Sequence, residues 1–171
     1  LLTDLNIAGG QNPLTGQMDP AWTFYTQLQQ LNEVELVGSD ISTLPLDTDL
    51  LVIVHPQSLS DTLLYAIDQY ALNGGKLLAF VDPHNESDQM AMMAGSMEPN
   101  SSSLDKLLSA WGIEFDNKHV LLDAMAGLDI RTQAGGVTRH FGFVGLGAEQ
   151  LDREDITTSN LEIINGASFG T

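Results

Sequence analysis

The sequence predicts an α/β fold: an open, mostly parallel sheet between two layers of helix. Three observations carry that expectation. Leu50-Leu51-Val52-Ile53-Val54 and Leu77-Leu78-Ala79-Phe80-Val81 are continuous apolar runs of strand length. A run that does not alternate is one buried on both faces, as in a parallel sheet covered by helices. Between them, Leu63, Leu64, Ile67, Tyr70 and Ala71 fall on one face of a helix. Strand, crossover helix and strand in that order make a βαβ unit, which is nearly always right-handed.

The other elements follow in order. Leu1–Ala8 reads as a first strand ended by Gly9-Gly10, and Gln11–Met18 as a loop holding Asn-Pro and Thr-Gly turn signals. Asp19-Pro20 marks a helix start, an acceptor followed by proline at the first helical position. That helix carries Ala21, Phe24, Tyr25, Leu28 and Leu31 on one face, and Val34–Val37 is a short strand after it. Ser60 caps the crossover helix and Asn73-Gly74-Gly75 closes it, glycine accepting the left-handed turn. Lys76–Asp82 is the second buried strand. Pro83–Ser103 is polar and methionine-rich, an irregular excursion. Leu104, Leu107, Leu108 and Trp111 make another helix face, stopped by Gly112. Val120–Leu122 and Leu161–Ile164 read as strands. Ala124–Ala148 is glycine-rich with no clear period, and Gly142, Gly145 and Gly147 within it read as loop glycines. The series fits a single domain over residues 1–171, with a three-layer open sheet of flavodoxin-like type.

Composition narrows the function. At 171 residues and 43% hydrophobic, the chain can bury a core. Six Lys and Arg against 23 Asp and Glu give a formal charge of −17, which repels phosphate backbones and anionic lipid heads. Nucleic-acid binding is therefore not expected. The absence of cysteine excludes disulfides, a zinc-thiolate site and a cysteine nucleophile. No apolar run reaches the ~20 residues that span a bilayer, and there is no signal peptide. A start at Leu1 and an abrupt stop after Asn165-Gly166-Ala167-Ser168 read as an excised piece of a longer protein.

Four stretches together resemble the auxiliary component of gliding-motility-type ABC transporters. They are Gly9 to Trp22, Asp49 to Asp61, Leu64 to Pro83 and Leu107 to Asp116, and Leu151 to Asp155 fits as well. The blocks from His55-Pro56 to Leu59-Ser60 and from Asn73-Gly74-Gly75 to Lys76-Leu77-Leu78 are the most specific parts, and the resemblance covers nearly the whole chain. It implies an α/β region on the periplasmic face of the bacterial inner membrane, with a membrane helix on either side. It also implies an ABC permease and an ATPase as partners. It supplies no catalytic motif, so it speaks to location and partners rather than to a reaction.

In an open α/β sheet, ligands sit beyond the carboxyl ends of the strands where strand order reverses. That rule points to Gly10, Gln11 and Asn12 after the first strand, to His55, Gln57 and Ser58 after Val54, and to Asp82 and His84 after Val81. A small molecule such as a sugar is the expected ligand there. The plainer reading is that Gly9-Gly10 is a turn and that His55-Pro56 only steers the chain out of its strand. Asp82, His84, Glu86 and Asp88 alternate oxygen and imidazole ligands along a loop, but their spacing matches no known cation loop or zinc helix, and no metal is expected. Ser58 with a neighbouring histidine is a weaker serine-hydrolase reading, because the Gly-x-Ser-x-Gly elbow is missing. Class I glutamine amidotransferases, whose sheet is related, need a cysteine that this chain lacks. There is no phosphate loop, and Gly9-Gly10 lacks the third glycine of a dinucleotide fingerprint. No cofactor is expected. Met90, Met92, Met93 and Met97 are a candidate adaptable protein contact.

Overall fold

The structure, a computed structural model, describes residues 1–12, 16–85, 100–132 and 135–171. The backbone gathers into two compact units. One is Leu1–Val81 with Ser102–Ile113, and the other is Asp82–Ser101 with Glu114–Thr171.

The first unit holds, in chain order, β1 (Gly10–Gln11), β2 (Met18–Asp19), α1 (Thr23–Leu31), β3 (Leu50–Val54), α2 (Asp61–Leu72), β4 (Lys76–Phe80) and α3 (Asp105–Ala110). The βαβ expectation holds here. β3 and β4 pair in parallel from Leu50 beside Lys76 to Val54 beside Phe80, with α2 between them in sequence. The Ser60 hydroxyl accepts the Leu63 N–H at 3.1 Å and so caps α2. Leu63 and Ile67, one turn apart, are fully buried. The helix closes through Gly74 at φ 88°. The Tyr70 ring then lies over Gly75, where a Cβ would meet it at 2.5 Å. The Tyr70 hydroxyl reaches Thr48 O at 3.1 Å and Lys76 O at 3.2 Å.

Other elements depart from the expectation for local reasons. Of the first strand only Leu2 pairs, by single parallel bridges to Val37 and Ile53. The Thr3 hydroxyl then accepts the Leu5 N–H and turns the chain away. The expected second strand reduces to Val37 in the same way. The two ends of the expected loop Gln11–Met18 pair in a small antiparallel ladder, Gly10 beside Asp19 and Gln11 beside Met18, and positions 13–15 of it lie outside the described residues. Asp19 is therefore a ladder residue, and α1 starts later with Trp22 at its N-cap.

The second unit is built on β5 (Gly127–Arg131), β6 (Val137–Gly147) and β7 (Ile163–Ala167), with a 3-10 turn at Ala148–Gln150. The three strands form one antiparallel sheet in that order. β6 runs straight through the stretch that showed no period, so Gly142, Gly145 and Gly147 are strand residues and not loop residues. At Gly145 a Cβ would meet the end of the Leu128 side chain at 2.8 Å and the Asn165 side-chain oxygen at 3.1 Å. Val120–Leu122 forms no strand, and the last strand lies at Ile163–Ala167.

The three-layer, mostly parallel, flavodoxin-like or amidotransferase-like sheet is thereby overturned. The strands form a parallel pair, an antiparallel pair and an antiparallel triplet. Among the described residues helix is 20% and strand 24%, too little helix to cover both faces of a broad parallel sheet. The cause is chain reversal. Each added parallel strand needs a crossover, whereas antiparallel strands need only a turn. After α3 the chain supplies turns. The Asp123 carboxylate accepts the N–H groups of Met125 and Ala126 at 2.7 and 2.9 Å. Between β5 and β6, Gly135, at φ 82°, donates to Thr132 O, and Thr132 N donates to Gly136 O at 2.8 Å. Among the described residues, the buried apolar side chains lie in the first unit except Val144 and Pro83.

Candidate functional site

The expected site residues lie in three stretches of the chain. Gly10, Gln11 and Asn12 sit in the β1–β2 hairpin. Gly9 before them has φ 72°, and a Cβ on it would lie 2.5 Å from Asp19 O, so the turn requires glycine. Asn12 is buried at 7% exposure. Its N–H donates to Gln17 O at 2.7 Å and its side-chain amide donates to the Asp19 carboxylate at 2.8 Å. It staples the hairpin, while Gln11 is exposed.

His55, Gln57 and Ser58 form the exit of β3. The His55 N–H donates to Phe80 O at 2.9 Å, which extends the ladder by one residue. His55 then turns left-handed at φ 45°, and Ser58 does the same at φ 52°. Outside glycine that region costs about 1–3 kcal/mol per residue, so surrounding contacts must hold both. For His55 the contact is visible. The ring is 3% exposed, and its Nδ1 lies 3.0 Å from the hydroxyl of the fully buried Ser102. Next to it, Ser103 N donates to Pro56 O at 2.7 Å. The two residues before Leu104 are thus fastened to the strand exit. Gln57 is half-buried and Ser58 is exposed.

Asp82 and His84 belong to the second unit. Asp82 is half-buried, His84 is exposed and Pro83 between them is buried. Glu86 and Asp88 lie outside the described residues, as do Met90, Met92, Met93 and Met97. Asn85 and Asn100, both buried, close a double bridge. Asn85 N donates to Asn100 O at 2.9 Å, and the Asn100 amide donates to Asn85 O at 2.6 Å. Among the described residues, no cluster of three His, Asp or Glu could hold a metal ion.

Sequence reasoning missed Ser102, Asn85 and Asn100. Ser102 is 47 positions from its histidine, and no spacing rule reaches that far. For Asn85 and Asn100, two asparagines bracketing a polar excursion were the available signal. A further cavity, about 480 Å³, opens at the amino end of β3, opposite to the end the topology rule favours. Its side-chain charges are the carboxylates of Glu33, Glu35, Asp47 and Asp49, which turn anionic ligands away.

Several of the resolved shifts in acidity belong to carboxylates at the surface. The Lys106 ammonium, 2.5 Å from Asp61, holds that carboxyl below its ordinary value, by hydrogen bonding first and by charge second. Backbone N–H donors from Ala126 and Met125 do the same for Asp123. The Thr157 hydroxyl and N–H do so for Asp155. Among the described residues, no helix is long and apolar enough to cross a membrane.

These features define an acidic protein of helices and small mixed sheets with a buried histidine at the exit of β3. The chain belongs to the ABC-type uncharacterized transport system family, whose model matches residues 4–171. It is an auxiliary component of an ABC-type transport system. No curated protein and no solved structure matches it.

Proposed function

We propose that this chain is the non-catalytic, extracytoplasmic domain of a gliding-motility-type auxiliary component. It works on the periplasmic face of the inner membrane by binding the transporter's permease and, through it, serves the ATPase. The family match over residues 4–171 carries the reading. The β3 exit supports it, since His55 and Ser102 are closed to solvent and tie two segments together rather than facing a substrate. The cysteine-free chain gives a clean test. Tyr65 is 65% exposed, and in a Tyr65→Cys variant a membrane-impermeant maleimide should label the thiol in intact inner-membrane vesicles of right-side-out orientation. Labelling only after lysis would sink the periplasmic placement. Co-purification of the permease with the tagged auxiliary protein tests the partner.

The left-handed backbone at both His55 and Ser58 favours a second reading, a small ligand such as a sugar held at Gln57 and Ser58. A thermal-shift screen of sugars, nucleotides and ions decides it. A ligand that stabilises the wild type but not a Gln57→Ala, Ser58→Gly variant supports this reading, and uniform silence rejects it.

A further inference from the structure

We propose that the outer edge of β4 accepts an added β-strand from a partner, and that the partner segment is apolar and basic. The inference rests on the partner-binding reading above and names the surface. Leu77–Val81 has the continuous apolar pattern of a strand covered on both faces, yet Leu78 is 46% and Phe80 53% exposed. Among the described residues, β4 pairs with β3 alone.

The direction of its free groups follows from the ladder. Val54 stands beside Phe80, and His55 N donates to Phe80 O. In a parallel pair, a residue turns both its N–H and its C=O to the same neighbour. Lys76, Leu78 and Phe80 therefore face β3, and Leu77, Ala79 and Val81 turn theirs outward. Edge strands are ordinarily guarded by proline, an inward charge or a bulge. β4 has no proline, its one charge is Lys76 at the first position, and the β3–β4 register has no shift. Such an edge takes a strand by main-chain bonding, with side-chain pockets adding selectivity.

Charge selects the occupant. The unit carrying β4 has ten Asp and Glu against two Lys. A second copy would bring like charge to like, whereas a segment with Lys or Arg is drawn in.

Ala79→Pro is the decisive variant. It removes an outward N–H and leaves the bonds to β3 intact, a placement edge strands tolerate. Val81→Pro makes the same test should Ala79→Pro fail to fold. The probe is a synthetic seven-residue peptide of alternating valine and lysine, with a valine–glutamate peptide as control. With the lysine peptide, hydrogen exchange at the Ala79 and Val81 amides of the wild type should slow about tenfold or more. Binding of that peptide should be lost in Ala79→Pro. No slowing, equal slowing with the glutamate peptide, or undiminished binding to Ala79→Pro overturns the inference. A wild-type dimer that Ala79→Pro dissolves overturns the choice of partner. Co-purification of the permease with the full-length protein separates the two readings. Failure with the wild type rejects permease binding itself, and equal recovery with wild type and Ala79→Pro rejects only the β4 edge.

Discussion

The two units hold themselves together by different means. In the first, Leu2, Ile53, Ile67 and Leu104 come from four distant stretches, and each is at most 1% exposed. In the second, three strands share backbone ladders, and among the described residues Val144 and Pro83 are its buried apolar side chains. Burial of apolar surface dominates the first unit's cohesion. The second relies on hydrogen bonds, each worth only about 0.5–1.5 kcal/mol net. Stability should therefore be uneven along the chain, which is where local opening and partner docking become affordable.

Four experiments break or sharpen that contrast. The largest effect is expected at Ile53. Ile53→Ala should lower the unfolding free energy in urea by about 2–5 kcal/mol, while Val144→Ala, which removes two methyl groups, should cost about 1–2 kcal/mol. The reverse order would mean that the second unit carries the core.

Glycine substitutions come next. Gly9→Ala forces a side chain against the Asp19 carbonyl at φ 72°, where only backbone could yield, and should cost about 2–4 kcal/mol. Gly166→Ala in the second unit meets only the Phe169 ring, a half-buried side chain that can swing aside. Its thermal midpoint should fall less, and equal losses would deny the difference in rigidity.

Ser102→Ala leaves the buried His55 Nδ1 without this hydroxyl and should cost about 1–3 kcal/mol. Hydrogen exchange should then quicken at Ser103 and His55 before it quickens in β6. Uniform acceleration through both units would remove the special place of this fastening.

The smallest effect is at Asp123. Its pKa is lowered by the Ala126 and Met125 N–H groups from an ordinary value of 3.8. A depressed folded-state pKa gives stabilisation that is present above the unfolded value and is lost as pH falls through the folded one. Wild type should exceed Asp123→Asn in thermal midpoint at neutral pH, and the gap should close below about pH 4. Taking the difference between the two proteins cancels most of the change in overall charge repulsion. A gap that stays constant to about pH 2 would assign the effect to geometry instead of charge.

The legible part of the fold was the part with local causes. Leu50–Val54, Ser60, the spacing of Leu63 and Ile67, and Gly74 each state their own role within a few residues, and the structure agrees with each. The misread part was set by partners far away in sequence. β6 was hidden because Gly142, Gly145 and Gly147 break its alternation, and Gly145 pairs with Asn165, twenty positions further along the chain. Asp19 looked like a helix cap until its carboxylate was seen to hold Asn12. The candidate site follows the same division. His55 was legible as a strand exit, but its burial and its bond to Ser102 were not.

By itself, then, the sequence determined the acidic surface, the absence of thiol chemistry and the capped strand–helix–strand unit from Leu50 to Phe80. All of these depend on composition or on neighbours within a helical turn or a strand. The tertiary structure alone decided that the later strands reverse rather than cross over, that the His55 ring is buried beside Ser102, and that Leu78 and Phe80 of β4 stay about half exposed. Each of those depends on which distant segment arrives to cover a surface, and a hydrophobic pattern records the need for cover without naming what supplies it.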